Sequence, residues 1–273
     1  MKSLERSSRM LGKLLKYDLK ASFKFLLIFY TLALVFAVLT RILFKVGDSL
    51  FLQILAQIFN GATIAMIANI LINNLMRMWV KFKANLYGDE GYLMHTLPVP
   101  RRNLYTSKFL TGLITLITST VVIVAVMAIA WLTPESFEGL KNLLTPMADV
   151  LDSTAIGLLV AMIVVVFLEV SAMLFSGYTG IILGHKMLTN RTGWSILFGL
   201  ICYLMIETII VIGILILGGI DPKIGEPLLS NQLMVPDISV LKPVFILSII
   251  IYSVLITINY ILSEKWFKKI DLD

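Results

Sequence analysis

The sequence predicts an all-α fold: a polytopic membrane protein with six transmembrane helices, both termini in the cytoplasm and a basic amphipathic helix at the N-terminus. Three observations predict it. Of the 273 residues, 58% are hydrophobic and 15% charged, and the mean hydropathy is +0.92, whereas a soluble domain is about half apolar and a quarter charged. The apolar residues lie in long blocks separated by short polar segments, and the basic residues collect in alternate segments. A soluble globular enzyme is excluded on these grounds, and bilayer rather than water is the solvent to reason with.

The first 24 residues alternate Leu4, Met10, Leu11, Leu14, Leu15, Tyr17 and Leu19 with Lys and Arg. That pattern suits a helix lying on an anionic leaflet (residues 1–24), and a plain basic flank is the simpler alternative. The basic stretch is long and no small-residue cleavage site follows the first apolar block, so the first span is expected to stay in the mature chain. Six blocks can then cross about 30 Å of hydrocarbon, which takes roughly 20 helical residues: 25–44, 51–75, 109–132, 155–183, 194–219 and 243–262. The intervening segments are a cytoplasmic loop at 77–108, extracellular loops at 133–154 and 220–242, and a short turn at 185–193. None is long enough to build a core of its own, so residues 1–273 read as a single transmembrane domain.

Charge sets the orientation. The N-terminal segment, the 77–108 loop, the 185–193 turn and the C-terminal tail hold 18 of the 23 Lys and Arg residues. The opposite loops hold Arg41, Lys45, Lys141, Lys223 and Lys242 together with eight acids. The positive-inside rule therefore places both termini in the cytoplasm. The same segregation accounts for the net charge of +6 without nucleic acid.

Soluble-enzyme chemistry finds no foothold. No G-x-x-x-x-G-K-[ST] string is present to cradle a nucleotide phosphate, His95 and His185 do not form H-E-x-x-H, and G-x-S-x-G is absent. Cys202, the single cysteine, lies in an apolar block and forms no internal disulfide or ligand cluster. The chain is expected to be non-catalytic, with no metal site and no cofactor of its own.

Polar residues inside the spans are the remaining candidates. Glu169 and Glu207 lie deep in the fourth and fifth spans, where a charge is costly unless it faces water or a partner. A functional role and a purely structural one, protonated or hydrogen-bonded to hold register, weigh equally. Asn60, Asn69, Asn73 and Asn74 in the second span suit interhelical hydrogen bonding better than substrate contact, with Asn69 and Asn73 kept as candidate polar sites. The run from Ser176 to Gly184 spaces small residues three and four apart and predicts a close helix crossing. Trp79, Tyr92, Trp131, Trp194 and Trp266 fall near span ends, as interfacial aromatics do.

The 77–108 loop is too polar to span, yet Leu86, Tyr92, Leu93, Met94 and Leu97 recur at helical intervals. Asp89 and Glu90 would occupy the first turn, and Pro98 and Pro100 would end the helix. A short amphipathic helix of this kind lies on a membrane or docks into a groove on a soluble partner, and acids at its start favour the partner.

With Tyr87-Gly88-Asp89-Glu90-Gly91-Tyr92-Leu93, Thr96-Leu97-Pro98 and Ser107-Lys108 in view, the chain resembles the permease subunit of a type-2 ATP-binding-cassette exporter. The six-span plan, the basic N-terminal helix and the Gly184-His185-Lys186 turn extend the resemblance over nearly the whole chain. It implies that Asp89, Glu90, Gly91, Tyr92, Leu93, Leu97 and Pro98 form a coupling helix against a separate ATPase subunit, with a weaker contact at residues 185–191. It also implies two permease chains, identical or related, and two ATPase chains that bind ATP and Mg, in the plasma membrane of a bacterium. A more aromatic channel lining, as in permeases for long polysaccharides, is missing, so an amphipathic peptide, a drug or another hydrophobic molecule is the expected substrate. The rival reading is a proton-coupled secondary transporter that uses Glu169 and Glu207. A membrane scaffold or an intramembrane enzyme is a third, without a catalytic constellation to support it.

Overall fold

The computed structural model describes residues 2–46, 49–88, 91, 96, 99–222, 225 and 241–268. Among them the chain is helical with no strand, and seven helices account for most of it: α1 (Lys2–Val46), α2 (Leu50–Tyr87), α3 (Arg101–Trp131), α4 (Pro134–Val150), α5 (Ala155–Gly184), α6 (Arg191–Ile220) and α7 (Leu241–Lys268). All but α4 contain segments of 27 to 38 residues that are long and apolar enough to cross a membrane. At about 1.5 Å per residue each exceeds the roughly 30 Å hydrocarbon thickness. The protein is a helical membrane protein with six candidate spans.

Helix ends follow local chemistry more than hydropathy. The Ser49 hydroxyl accepts the Leu52 N–H at the start of α2, and Thr154 caps α5 through the Gly157 N–H. Asn190, at φ 45°, caps α6 through the Gly193 N–H, a left-handed position that Asn tolerates better than most residues. α1 passes Lys24 without a break, and α2 continues through Arg77, Lys81 and Lys83 to Tyr87. Charge ends a stretch of hydrocarbon-soluble helix but does not end the helix, which needs a breaker, here Gly88. Leu86 accordingly closes α2 and does not belong to a separate short helix. Within the expected 133–154 loop, residues 134–150 form α4.

The chain divides into two compact units, Met1–Pro134 with Phe267–Asp273, and Glu135–Trp266. In the first, α1 packs against α2 and α3 along one stripe, Asp18, Ser22, Leu26, Tyr30, Ala33, Ala37 and Thr40, all of it buried. Steps of four and three keep these residues on one face. Ala33 and Ala37, fully buried, let Ile70 of α2 and Val126 and Ala130 of α3 close on α1. Polar ties recur along the bundle. Tyr30 hydrogen-bonds Ser119 at 2.8 Å, Asn74 donates to the same Ser119 at 2.6 Å, and Thr40 meets Thr63 at 2.9 Å.

In the second unit the small-residue run of α5 meets α6. A methyl group at Gly180 would overlap the Gly199 backbone and the Ser195 carbonyl, and one at Gly184 would overlap Ser195. α7 joins through Thr179, which bonds both Asn259 and Ser263. Gly180→Leu is expected to destabilise this unit by more than the roughly 1–3 kcal/mol typical of core overpacking, because backbone rather than side chain is displaced. Gly61→Leu, where an added Cβ meets nothing within 4 Å, should leave the melting temperature of the purified protein unchanged.

Candidate functional site

At the Lys81–Lys108 end of the first unit, a carboxylate is buried among cations. Asp18 of α1 is 8% exposed and Lys108 of α3 is 4% exposed. Lys108 Nζ lies 2.6 Å from Asp18 Oδ1, and the Ser107 hydroxyl donates to Oδ2 at 2.9 Å. Lys81 of α2 reaches the same carboxylate at 3.7 Å and donates to the Asp18 carbonyl at 2.7 Å and to Ser22 Oγ at 3.2 Å. Lys108 also donates to Asn85 Oδ1 at 3.0 Å. Three helices thus meet at one group, and each oxygen of Asp18 has a donor.

This junction brackets the 88–100 segment. Asn85 and Lys81 stand in the last two turns of α2 before it, and Ser107 and Lys108 in the second turn of α3 after it. Beneath them Phe82 stacks edge-on to Tyr105 at 6.2 Å, and Tyr105 lies 6.0 Å from Phe267. Arg77 caps the packing with its guanidinium 5.0 Å above the Phe25 ring. Both flanks of the segment are therefore tied to α1 by buried polar and ring contacts.

Of the expected coupling residues, Asp89, Glu90, Tyr92, Leu93, Leu97 and Pro98 lie outside the described residues. Gly91 is helical and buried, and its N–H donates to the Gly88 carbonyl at 2.8 Å. A Cβ on Gly88 would stand 2.8 Å from the Ala84 carbonyl oxygen, and one on Gly91 2.9 Å from that of Leu86. Both glycines are needed because the chain turns back tightly against the end of α2.

The second cytoplasmic element expected from the sequence, residues 185–191, is a turn between α5 and α6. His185 Nδ1 donates to the Ile181 carbonyl at 2.8 Å, and Lys186 lies 5.9 Å over the Trp266 ring. Leu188 at its tip is 95% exposed.

Within the second unit, Glu207 accepts the Tyr252 hydroxyl at 3.1 and 3.4 Å to its two oxygens. Tyr203, one turn earlier on α6, also hydrogen-bonds it, and Glu169 is close enough to feel its charge. Tyr252 is packed among Ala172, Ile206 and Ile210. The two acids are thus brought together with two phenols, and among the described residues no ion pair reaches either of them. Such a pair can hold helices in register or exchange a proton; no group of three metal-ligating side chains occurs among the described residues.

The asparagines of α2 divide. Asn74 is buried between Ser119 and Thr115, and Asn60 accepts the Trp131 indole N–H at 2.8 Å. Asn73 donates to the Asn69 carbonyl of its own helix at 2.9 Å, and Asn69 is exposed. The pair singled out from sequence is therefore not the pair that ties helices together.

Asp18 is the residue that sequence reasoning passed over. The available signal was an acid in a run of bases, on the same helical stripe as Ser22, Leu26 and Tyr30. No family model, characterised protein or solved structure gives a significant match to the chain.

Asp18→Ala should cost about 3–5 kcal/mol, the usual penalty for orphaning a buried charge, read as a fall in the unfolding midpoint of the purified protein. Asp18→Ala combined with Lys108→Ala should cost less than the sum of the two single substitutions, the sign of direct coupling in a double-mutant cycle.

Proposed function

We propose that the chain is the membrane-spanning subunit of an ATP-driven exporter of the type-2 ATP-binding-cassette class. It would act as a pair of permease chains, identical or related, with two copies of a soluble ATPase, and would itself bind neither nucleotide nor metal. In this reading both termini are cytoplasmic, the membrane is a bacterial plasma membrane, and the cargo is an amphipathic peptide, a drug or another hydrophobic molecule.

The observation that supports the reading best is the clamping of both flanks of the YGDEGYL…TLP segment onto α1. A displacement of a loop does mechanical work on a bundle only if its ends are stiffly attached, and packed helices move as bodies rather than deform. Closure of the ATPase pair would push on the segment around Gly91. The force would pass through Asn85 and Lys81 on one side and Ser107 and Lys108 on the other to Asp18, and so into the whole buried stripe of α1. The exposed Leu188 supports a second contact, since a bare leucine on a cytoplasmic turn suits a pocket on a soluble partner.

Glu207, hydrogen-bonded by Tyr203 and Tyr252 and near a second acid, Glu169, favours the alternative, proton-coupled transport. The two readings separate cleanly. Gentle solubilisation from native membranes should yield a P-loop ATPase in equal amount. Glu90→Lys and Leu188→Asp should each reduce that yield at least about tenfold, ~1.4 kcal/mol of binding, with the permease itself still folded. Recovery of the chain without an ATPase, together with transport in ATPase-free proteoliposomes that Glu207→Gln abolishes, would establish the proton-coupled alternative.

A further inference from the structure

We infer that α4 is a membrane-surface helix, with its Phe137, Leu140 and Leu143 side chains sunk into the acyl–headgroup boundary of the leaflet on the side away from residues 185–191. The inference rests on the six spans and is independent of the ATPase reading.

Helical spacing sorts the 17 residues of α4 into two faces. Phe137, Leu140, Leu143, Leu144, Met147 and Ala148 share one arc, interrupted by Ser136 in the first turn, while Glu135, Glu138, Asn142 and Asp149 lie opposite. The protein covers only part of that arc. Leu144 and Ala148 are buried, and Leu144 joins Leu151 in a cluster with Leu158 of α5 and the partly buried Leu241 and Phe245 of α7. Met147 is partly buried against the same cluster, and the rest of the arc is bare: Phe137 and Leu140 are exposed and Leu143 is 68% exposed.

The anchoring cluster says what covers the bare part. Leu158 is in the first turn of its span, and Leu241 and Phe245 open theirs, so α4 is held at the level where two spans begin. That level is the water–hydrocarbon boundary, where a helix with one apolar and one charged face lies in the plane of the membrane. Lys242 meets Asp152 at 3.5 Å beside the cluster, and both are well exposed, as the polar side of such a boundary requires. Three acids against the single Lys141 on α4 disfavour a strongly anionic surface, so the occupant is zwitterionic lipid.

The test uses the full chain with Cys202→Ala, carrying one new cysteine at a time labelled with an environment-sensitive fluorophore. The samples are phosphatidylcholine nanodiscs, which leave both membrane faces open to solutes. Cysteines replace Phe137, Leu140 and Leu143 on the bare arc, and Glu138 and Asn142 opposite; all five positions are exposed, so substitution leaves the packing intact. Emission at the first three should be blue-shifted, strongly quenched by lipid carrying a shallow nitroxide and several-fold less quenched by iodide than at the other two. Equal iodide quenching at all five positions would overturn the inference by placing α4 in water. Protection of the arc from both quenchers would overturn it equally, by showing that protein rather than lipid covers the face.

Discussion

A carboxylate withdrawn from water has to be matched where it lies, because an unmatched charge in a poorly polarisable interior costs several kcal/mol. Asp18 is matched by residues from two other helices, Lys81 on α2 and Ser107 and Lys108 on α3, and those helices are thereby brought to one place. The rest of the first unit depends on that constraint. With the ends of α2 and α3 fixed against α1, the intervening segment has two anchored flanks, and the buried stripe of α1 continues from Asp18 through Ala33 and Ala37 to Thr40 in a single register.

Further along the same stripe the bilayer changes what holds helices together. Lipid tails are as apolar as leucine, so burying leucine against leucine brings little gain, and small residues and hydrogen bonds take over. Ala33, Ala37, Ser119, Asn74, Thr40 and Thr63 follow this logic in the first unit, and Gly180, Gly184, Ser195 and Thr179 follow it in the second. Each interhelical hydrogen bond in a membrane averages only about 0.6 kcal/mol, so the architecture rests on close backbone approach, with the polar contacts fixing register. The junction at Asp18 differs in kind, since it is ionic and lies where the bundle meets the loop.

Function, as proposed, follows from stiffness. A transporter driven from outside the membrane needs a segment that a partner can grip and an attachment that does not yield. The 88–100 segment with its two close-packed glycines offers the first, and the cation-bracketed carboxylate the second. Among the described residues, Glu169 and Glu207 of the second unit have no ion pair of this kind. Glu207 is occupied by two phenols of its own unit, an arrangement suited to holding α6 against α7 or to carrying a proton.

Much of the fold was legible because lipid solubility is a property of residues in sequence. Hydropathy located all six candidate spans, and the spacing of small residues marked the crossing at Gly180 and Gly184. What the sequence could not show was where helices continue once they leave the hydrocarbon. Arg77, Lys81 and Lys83 looked like the end of a span, yet α2 runs on to Gly88, since only loss of backbone hydrogen bonding stops a helix. Nor could it show that residues 134–150 are helical, because a short amphipathic segment interrupted by Pro146 gains its stability from the neighbours it packs on. Asp18 was hidden for a related reason. Its partners lie 63 and 90 residues away, and a buried ion pair leaves no local pattern until folding brings its members together. Sequence by itself determined which segments enter lipid, because each residue's transfer energy is its own. Tertiary structure decided which polar residues meet, because that is a property of pairs.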